Sequence, residues 1–395
     1  MNKKVIAAQT YLQEKKLDGW LLYDFHRNND LAHRFLEIPP SKMVTRRFFY
    51  WIPARGTPVR IVHAIEAEIL DAWPGEKRIF STWQSLEKEV ERLLKGCQRI
   101  AMEYSPKNGI PYVSKVDGGT LDLIRSFGVE VASSADFLLH FTSVLTEEQL
   151  KSQQRAAHAM QEIVEGAWEL IAKALKGGKS ISEGDVQAHI LQEFRTRKLV
   201  TESAPIVAVN AHSADPHFAT AKIGSSQIQT GDFILIDLWA KEEGSKSIFG
   251  DITRVAVADV QGSPKQEEVF RVVRNGQKAG IALIRERFAA KKTIQGWEVD
   301  EAVRTVIQKA GYGEYFIHRT GHSIDMELHG SGTHMDNLEM HDVRPILPMT
   351  CFSIEPGIYL PGEFGLRLES DVLIHRDGTV EVTGGEQETL RRLLD

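Results

Sequence analysis

Five residues in the second half of the chain are of the types that hold hard divalent cations. They are Asp237 in FILIDLW, Asp251 in FGDITR, His322 in HRTGHSIDMELHG, Glu355 in FSIEPGIY and Glu369 in GLRLESD. Each carboxylate stands in or beside an apolar run, where an ionised group is costly unless it is paired, hydrogen-bonded or bound to metal. Taken singly each has an ordinary reading as a paired buried acid, and for Asp251 the obvious partner is Arg254, three residues on. Taken together, four carboxylates and one histidine form an oxygen-rich set. Such a set suits Mn²⁺ better than a thiolate site would, and better than the nitrogen and sulfur preference of zinc. One divalent ion would leave so many anionic ligands with excess negative charge, and two would balance it.

The elements that must position these residues read as strands. DFILIDLW, ITRVAVAD, CFSIEPGIYL and GLRLESDVLIH are apolar runs bounded by turn residues, and APIVAVN precedes them. Helices are expected from Thr146, whose hydroxyl can cap a helix opening on Glu147 and Glu148, to about Leu175. Others are expected from Ser182, from about Lys265 to Phe288, and around Val299–Lys309. Residues 144–395 thus read as an α+β domain, a largely antiparallel sheet with helices on one side. Residues 1–143 alternate strands (GWLLYDF, RRFFYWIP, PVRIVHAI, RIAMEY, VEVASS) with helices, the pattern of a separate α/β domain.

Length and composition agree with two soluble domains, since 395 residues exceed one ordinary core. A net charge of −6 gives no electrostatic reason to expect nucleic acid as a partner. No run approaches the roughly 20 apolar residues that span a bilayer, so no membrane partner is expected. The basic N-terminus lacks an apolar core of signal-peptide length, and two isolated cysteines, Cys97 and Cys351, suit a reducing compartment. The expected location is the cytoplasm.

The order and context of Asp237, Asp251, His322, Glu355 and Glu369 resemble the five ligands of the pita-bread metallopeptidases, which include methionine aminopeptidase, aminopeptidase P and prolidase. The flanks DITR, GH, IEPGIY and RLE match as well, and the α/β domain in front is similar to that of aminopeptidase P, prolidase and creatinase. The resemblance implies two divalent ions, with Mn²⁺ the leading candidate and Zn²⁺ or Co²⁺ the alternatives. Asp237 would hold one ion, His322 and Glu355 the other, and Asp251 and Glu369 both. It implies hydrolysis of an Xaa-Pro bond in a short peptide, by a dipeptidase or an aminopeptidase, through a hydroxide held between the ions. Glu355 would take the water's proton and deliver it to the departing nitrogen. His217, His318 and His329 resemble the histidines that line the substrate site, and His318 has an equal reading as a group that only positions a neighbour. Arg367 resembles the arginine that binds the substrate carboxylate or orders the ligands. A homodimer is implied too, and Arg46, Arg47 and Trp51 could reach a neighbouring subunit's site, although a hairpin aromatic and a solvated basic pair are the more ordinary outcome.

Two other readings compete. A creatinase-like amidinohydrolase uses this fold without metal, and a non-catalytic peptide-binding protein would be expected to have lost ligands; the intact set of five opposes both. Three places depart from the family's pattern. Asp325 stands where glycine is common, Gly330 where glutamate is common, and the segment between Asp237 and Asp251 is longer than usual. An additional carboxylate at Asp325 would repel an acidic substrate or select a basic one if it faced the pocket, while a solvated loop aspartate is the commoner outcome. His334 and His341 read as loop residues.

Overall fold

The apolar runs of the first 142 residues become the strands of one mixed six-stranded sheet. In spatial order these are Glu76–Phe80, Val59–His63, Phe48–Pro53, Gly19–Asp24, Arg99–Met102 and Glu130–Ser133. The structure is a computed structural model that describes residues 2–220 and 225–395. Chain contacts divide it into two units, Met1–Thr142 and Ser143–Asp395. In the first unit, strand Glu76–Phe80 is the one that sequence reading passes over. It lies at the sheet edge with only Phe80 buried, so its EKRIF has no apolar face to reveal it. Trp51 is buried in this unit's core beside Tyr23 and Phe49, and its ring fills the space a side chain at Gly19 would need. It is therefore a packing residue and not an arm toward another subunit.

The second unit is α+β. Its long helix, Glu147–Lys176, opens on a capping box in which the Thr146 and Gln149 side chains satisfy each other's backbone N–H, and it ends at Gly177. Helix Glu183–Thr196 follows, capped in the same way by Ser182 and Asp185. Both helices lay their apolar faces on the antiparallel pair Phe233–Glu242 and Gly250–Val257, burying Ile163, Trp168, Ile190, Ile236 and Ile252 in one cluster. Gly250 makes the approach close. A Cβ there would stand 2.6 Å from the backbone nitrogen of Ala157 in the long helix. Helices Pro264–Ala289 and Gly296–Lys309 pack similarly on strands Thr350–Ile354 and Ser370–Ile374 through Ile281, Val299, Ile354 and Val372.

The runs expected to be single C-terminal strands are each broken in two. CFSIEPGIYL divides into Thr350–Ile354 and Gly357–Leu360, and GLRLESDVLIH into Phe364–Arg367 and Ser370–Ile374. Pro356 has no N–H for the ladder. Across the gap the backbone turns to other partners, Glu355 N to Thr320 O at 2.7 Å and Glu369 N to Thr253 O at 3.3 Å. The register is the same on both sides, with Ile354 opposite Ser370 and Gly357 opposite Arg367. Glu355 and Glu369 consequently face each other at the break.

Candidate active site

Register alone brings two of the acids together. On the antiparallel pair, Thr253 lies directly opposite Asp237, and Asp251 is two residues before Thr253 and so on the same face. The other half of the site arrives from the broken hairpin that carries Glu355 and Glu369, and from the segment ending in His322. Gly321 admits that segment, because a Cβ there would run into the carbonyl oxygen of Ser353. His322 donates its backbone N–H to Ser353 Oγ at 3.0 Å and receives Ser353 N–H on its carbonyl at 2.9 Å. Further out, Arg304 of helix Gly296–Lys309 pairs with Asp300 and donates to the carbonyls of Phe316 and His318 at 2.9 Å each, while Asp300 accepts from the backbone and hydroxyl of Thr320.

The result is a buried cluster. Ligand-type atoms of Asp251, His322 and Glu369 all lie within 4.8 Å of one another, a grouping that could hold a metal ion. His322 Nε2 stands 3.5 Å from Asp251 Oδ2 and 3.5 Å from Glu355 Oε1, beyond a good hydrogen bond and close to the separation of two ligands about 2.1 Å from a shared ion. Asp251 Oδ1 is buried and has no hydrogen-bond partner among the described residues. The ion pair to Arg254 suggested by spacing does not form, since that guanidinium donates to the carbonyls of Glu369, Gly384 and Gly385. An orphaned carboxylate oxygen among three more carboxylates is what a cation would relieve, so these residues fit a metal.

Electrostatics tell the same story. Burial, then repulsion from Asp237, pushes the Asp251 carboxyl well above its usual range. Burial followed by Asp251, Glu355 and Asp237 does so for Glu369. Glu355 is raised by burial, against the opposing pull of His322 and Arg367. His322 is lowered by burial. Arg367 is the countercharge, donating to Asp237 at 2.5 Å, to Thr253 Oγ1 at 3.0 Å and to the Tyr359 hydroxyl at 2.9 Å.

The three further histidines fall into different positions. His318 is held at both ring nitrogens, by the Tyr359 hydroxyl at 2.8 Å and its neighbour's carbonyl Arg319 O at 2.7 Å, and burial followed by the charge of Arg367 pushes it down to about 3. His329 packs edge-on to His322 with ring centroids 4.3 Å apart. It stays reachable by solvent although protein crowds most of its ring, and the proximity of His322, followed by desolvation, takes it to about 3. His217 is exposed, on a loop that buried Glu183 anchors by accepting from Val209 N, Ser226 N and His212 Nδ1 at 2.8 Å each. Of the two loop histidines, His341 is exposed, whereas His334 is buried and receives Ser323 N–H at 3.2 Å.

Sequence reading missed several residues of this site. Thr253 is fully buried, accepts from Arg367 and lies 3.0 Å from Asp237 Oδ1 and 2.7 Å from Glu369 Oε2. Its signal was available, because two residues beyond Asp251 on a strand means the same face. Asp371, two residues beyond Glu369 in a run read as one strand, offered the same signal, whereas Tyr359 had none. Asp371 accepts Asp251 N–H at 2.9 Å and Gln153 Nε2 at 2.6 Å, contacts between residues more than a hundred positions apart.

Residues 150–376 match the family model for metallopeptidase family M24. The chain belongs to that family. The M24 chain is 30% identical over 314 residues to the Xaa-Pro dipeptidase of Lactobacillus delbrueckii subsp. lactis, covering 78% of this chain and 76% of that one. Its fold is similar to that of dipeptidase PepE from Mycobacterium ulcerans, with a TM-score of 0.70, 21% identity and coverage of 99% and 97%. The prolidase from Pyrococcus horikoshii OT3 has the same fold, with a TM-score of 0.63, 21% identity and coverage of 98% and 100%. The protein is thus a metallopeptidase of pita-bread fold with an α/β domain in front.

Two of the three places set apart in the sequence can be located physically. Asp325 is 1% exposed and is neither a solvated loop acid nor a free pocket charge, because its carboxylate receives the N–H groups of Glu327 at 2.8 Å and Ser331 at 3.1 Å. The segment between Asp237 and Asp251 forms the turn end of their antiparallel pair, where Lys241 donates to the carbonyl of Met326. Among the described residues no helix is long and apolar enough to cross a membrane.

Proposed function

We propose that this M24 metallopeptidase is an Xaa-Pro dipeptidase with a dinuclear centre held by Asp237, Asp251, His322, Glu355 and Glu369. The observation that carries the reading is the convergence of Asp251, His322 and Glu369 around a buried, unpartnered carboxylate oxygen. The Xaa-Pro dipeptidase name of the curated relative supports the substrate class. Asp237 would serve one ion, His322 and Glu355 the other, with Asp251 and Glu369 available to both. The oxygen-rich set favours Mn²⁺. Bound divalent ions acidify a water to a pKa of about 7 in favourable sites and polarise a carbonyl.

The chain's own residues do the rest. Glu355, at the mouth of the ladder break and accepting from Ser353 Oγ at 3.2 Å, takes a proton from water and returns it to the departing nitrogen. A proline nitrogen has no hydrogen in the intact bond, so recognition falls to shape and to donors around it. His329 beside His322 and exposed His217 are the donors to the scissile carbonyl. His318 has both nitrogens engaged and acts by orienting Tyr359. Arg367, with all its nitrogens committed to Asp237, Thr253 and Tyr359, orders the ligands and does not bind the substrate carboxylate. We place the enzyme in the cytoplasm as a homodimer, a compartment consistent with Cys97 and Cys351 both being free thiols.

Metal analysis of the purified protein, together with Mn²⁺-supplemented assays on Xaa-Pro dipeptides and Xaa-Pro-Xaa tripeptides, tests this. We expect about two ions per chain and faster cleavage of the dipeptides. Tripeptide cleavage alone would make it an aminopeptidase. Cleavage without metal would favour an amidinohydrolase-like site, and binding of peptide with neither metal nor cleavage would make it a binding protein.

A further inference from the structure

We infer that Asp325 is a positioning residue for His329, and that Gly330 is glycine because the Asp325 carboxylate occupies the space beside it. The inference rests on the functional reading above for the role of His329. Asp325 follows the short strand Ser323–Ile324, and its side chain turns back into the loop that it opens. One oxygen receives the N–H of Glu327 at 2.8 Å and the other the N–H of Ser331 at 3.1 Å. A single buried carboxylate therefore ties the two sides of the loop that carries His329. The backbone closes the same loop, from Gly330 N to Ser323 O at 2.7 Å and from Asp325 N to Glu327 O at 3.1 Å.

Gly330 is the counterpart. A Cβ on it would stand 2.7 Å from Asp325 Oδ2, 2.8 Å from Cγ and 3.1 Å from the backbone nitrogen. Its φ lies outside the left-handed region that favours glycine, so space and not backbone conformation requires the glycine. Asp325 and Gly330 are thus one feature. The loop is gripped from the turn end of the antiparallel pair that carries Asp237 and Asp251 as well, where Lys241 donates to Met326 O and Phe249 N donates to Asp325 O at 3.3 Å. His329 ends up edge-on to His322, with no side-chain hydrogen bond among the described residues to fix it there. The carboxylate clip sets where that ring sits.

The test uses full-length, metal-loaded protein. Asp325→Ala should lower kcat/KM on an Xaa-Pro dipeptide by on the order of ten- to a hundredfold, the scale of a misplaced positioning group, with metal content unchanged. In a His329→Ala background the same change should cost less than about twofold more, because the clip acts through that ring. Hydrogen exchange at the amides of Glu327 and Ser331 should speed up in Asp325→Ala. Gly330→Ala alone should reproduce the loss, yet add nothing to Asp325→Gly, since the colliding carboxylate is then gone. Full activity of Asp325→Ala, additive losses with His329→Ala, or loss of metal in place of activity would each overturn the inference. If wild-type protein binds metal but cleaves no Xaa-Pro peptide, the functional reading has failed, and unchanged amide exchange in Asp325→Ala would then remove the clip as well. If wild-type and Asp325→Ala cleave equally, the clip fails and the functional reading stands.

Discussion

At the scale of single residues the site depends on how each carboxylate is balanced. Asp251 has one oxygen facing His322 and the other unpartnered, so its charge has no protein cation to itself. Asp251→Asn keeps the shape and removes the charge; we expect metal content by elemental analysis to fall and activity to drop at least about a hundredfold, with circular dichroism unchanged. Thr253 is the hub between Arg367, Asp237 and Glu369. Thr253→Val should retain packing, weaken metal affinity by about ten- to a hundredfold in a metal titration, and lower kcat more than it raises KM. His318, lowered to about 3, is neutral at every pH where the enzyme would be assayed. Its ring resonances should not titrate between pH about 5 and about 8, where an ordinary histidine near 6.5 would.

Helices and strands matter here through closeness of approach. The long helix Glu147–Lys176 lies against strand Gly250–Val257 at the residue next to Asp251, and Gly250 is what allows it. Gly250→Ala places a methyl 2.6–2.9 Å from helix backbone, which cannot swing aside as a side chain would. We expect a loss of about 2–3 kcal/mol in urea unfolding, typical of overpacking. Gly118→Ala, where nothing lies within 4 Å, should stay within about 0.5 kcal/mol of wild type. The same helix sends Gln153 to Asp371, which holds the Asp251 backbone, so helix and ligand are coupled through one carboxylate.

Taken as a whole, the molecule keeps a cluster of like charges in its interior, and metal decides the sign of its pH response. Without ions, the folded state raises the carboxyls of Asp251, Glu355 and Glu369 above their unfolded values. In that window the folded state binds more protons than the unfolded one. Stability is then present at lower pH and is lost as pH rises through the raised native values. With ions the ligands must be deprotonated, so the contribution of metal weakens on acidification. Thermal unfolding of chelated and Mn²⁺-loaded protein between pH about 5.5 and about 8 should therefore slope in opposite directions for this contribution. At the higher pH, chelation should lower stability by roughly 3 kcal/mol if the loaded sample held metal at 100 times its dissociation constant.

The sequence by itself determined the five ligand-type residues, the caps at Thr146 and Ser182, and the division into an α/β part and an α+β part. Those depend on local chemistry, namely the apolar period, capping side chains and rare acids in buried strands. Tertiary structure decided which partners these residues take. Arg254 turned from Asp251 to backbone carbonyls, Arg367 was committed to Asp237, Thr253 and Tyr359, and Pro356 split the last strands so that Glu355 and Glu369 face each other. It also buried Asp325, whose commoner reading was a solvated loop aspartate, against the N–H groups of Glu327 and Ser331. Each of these outcomes is set by contacts between segments distant in the chain or by the space left beside a backbone, neither of which spacing along a sequence records.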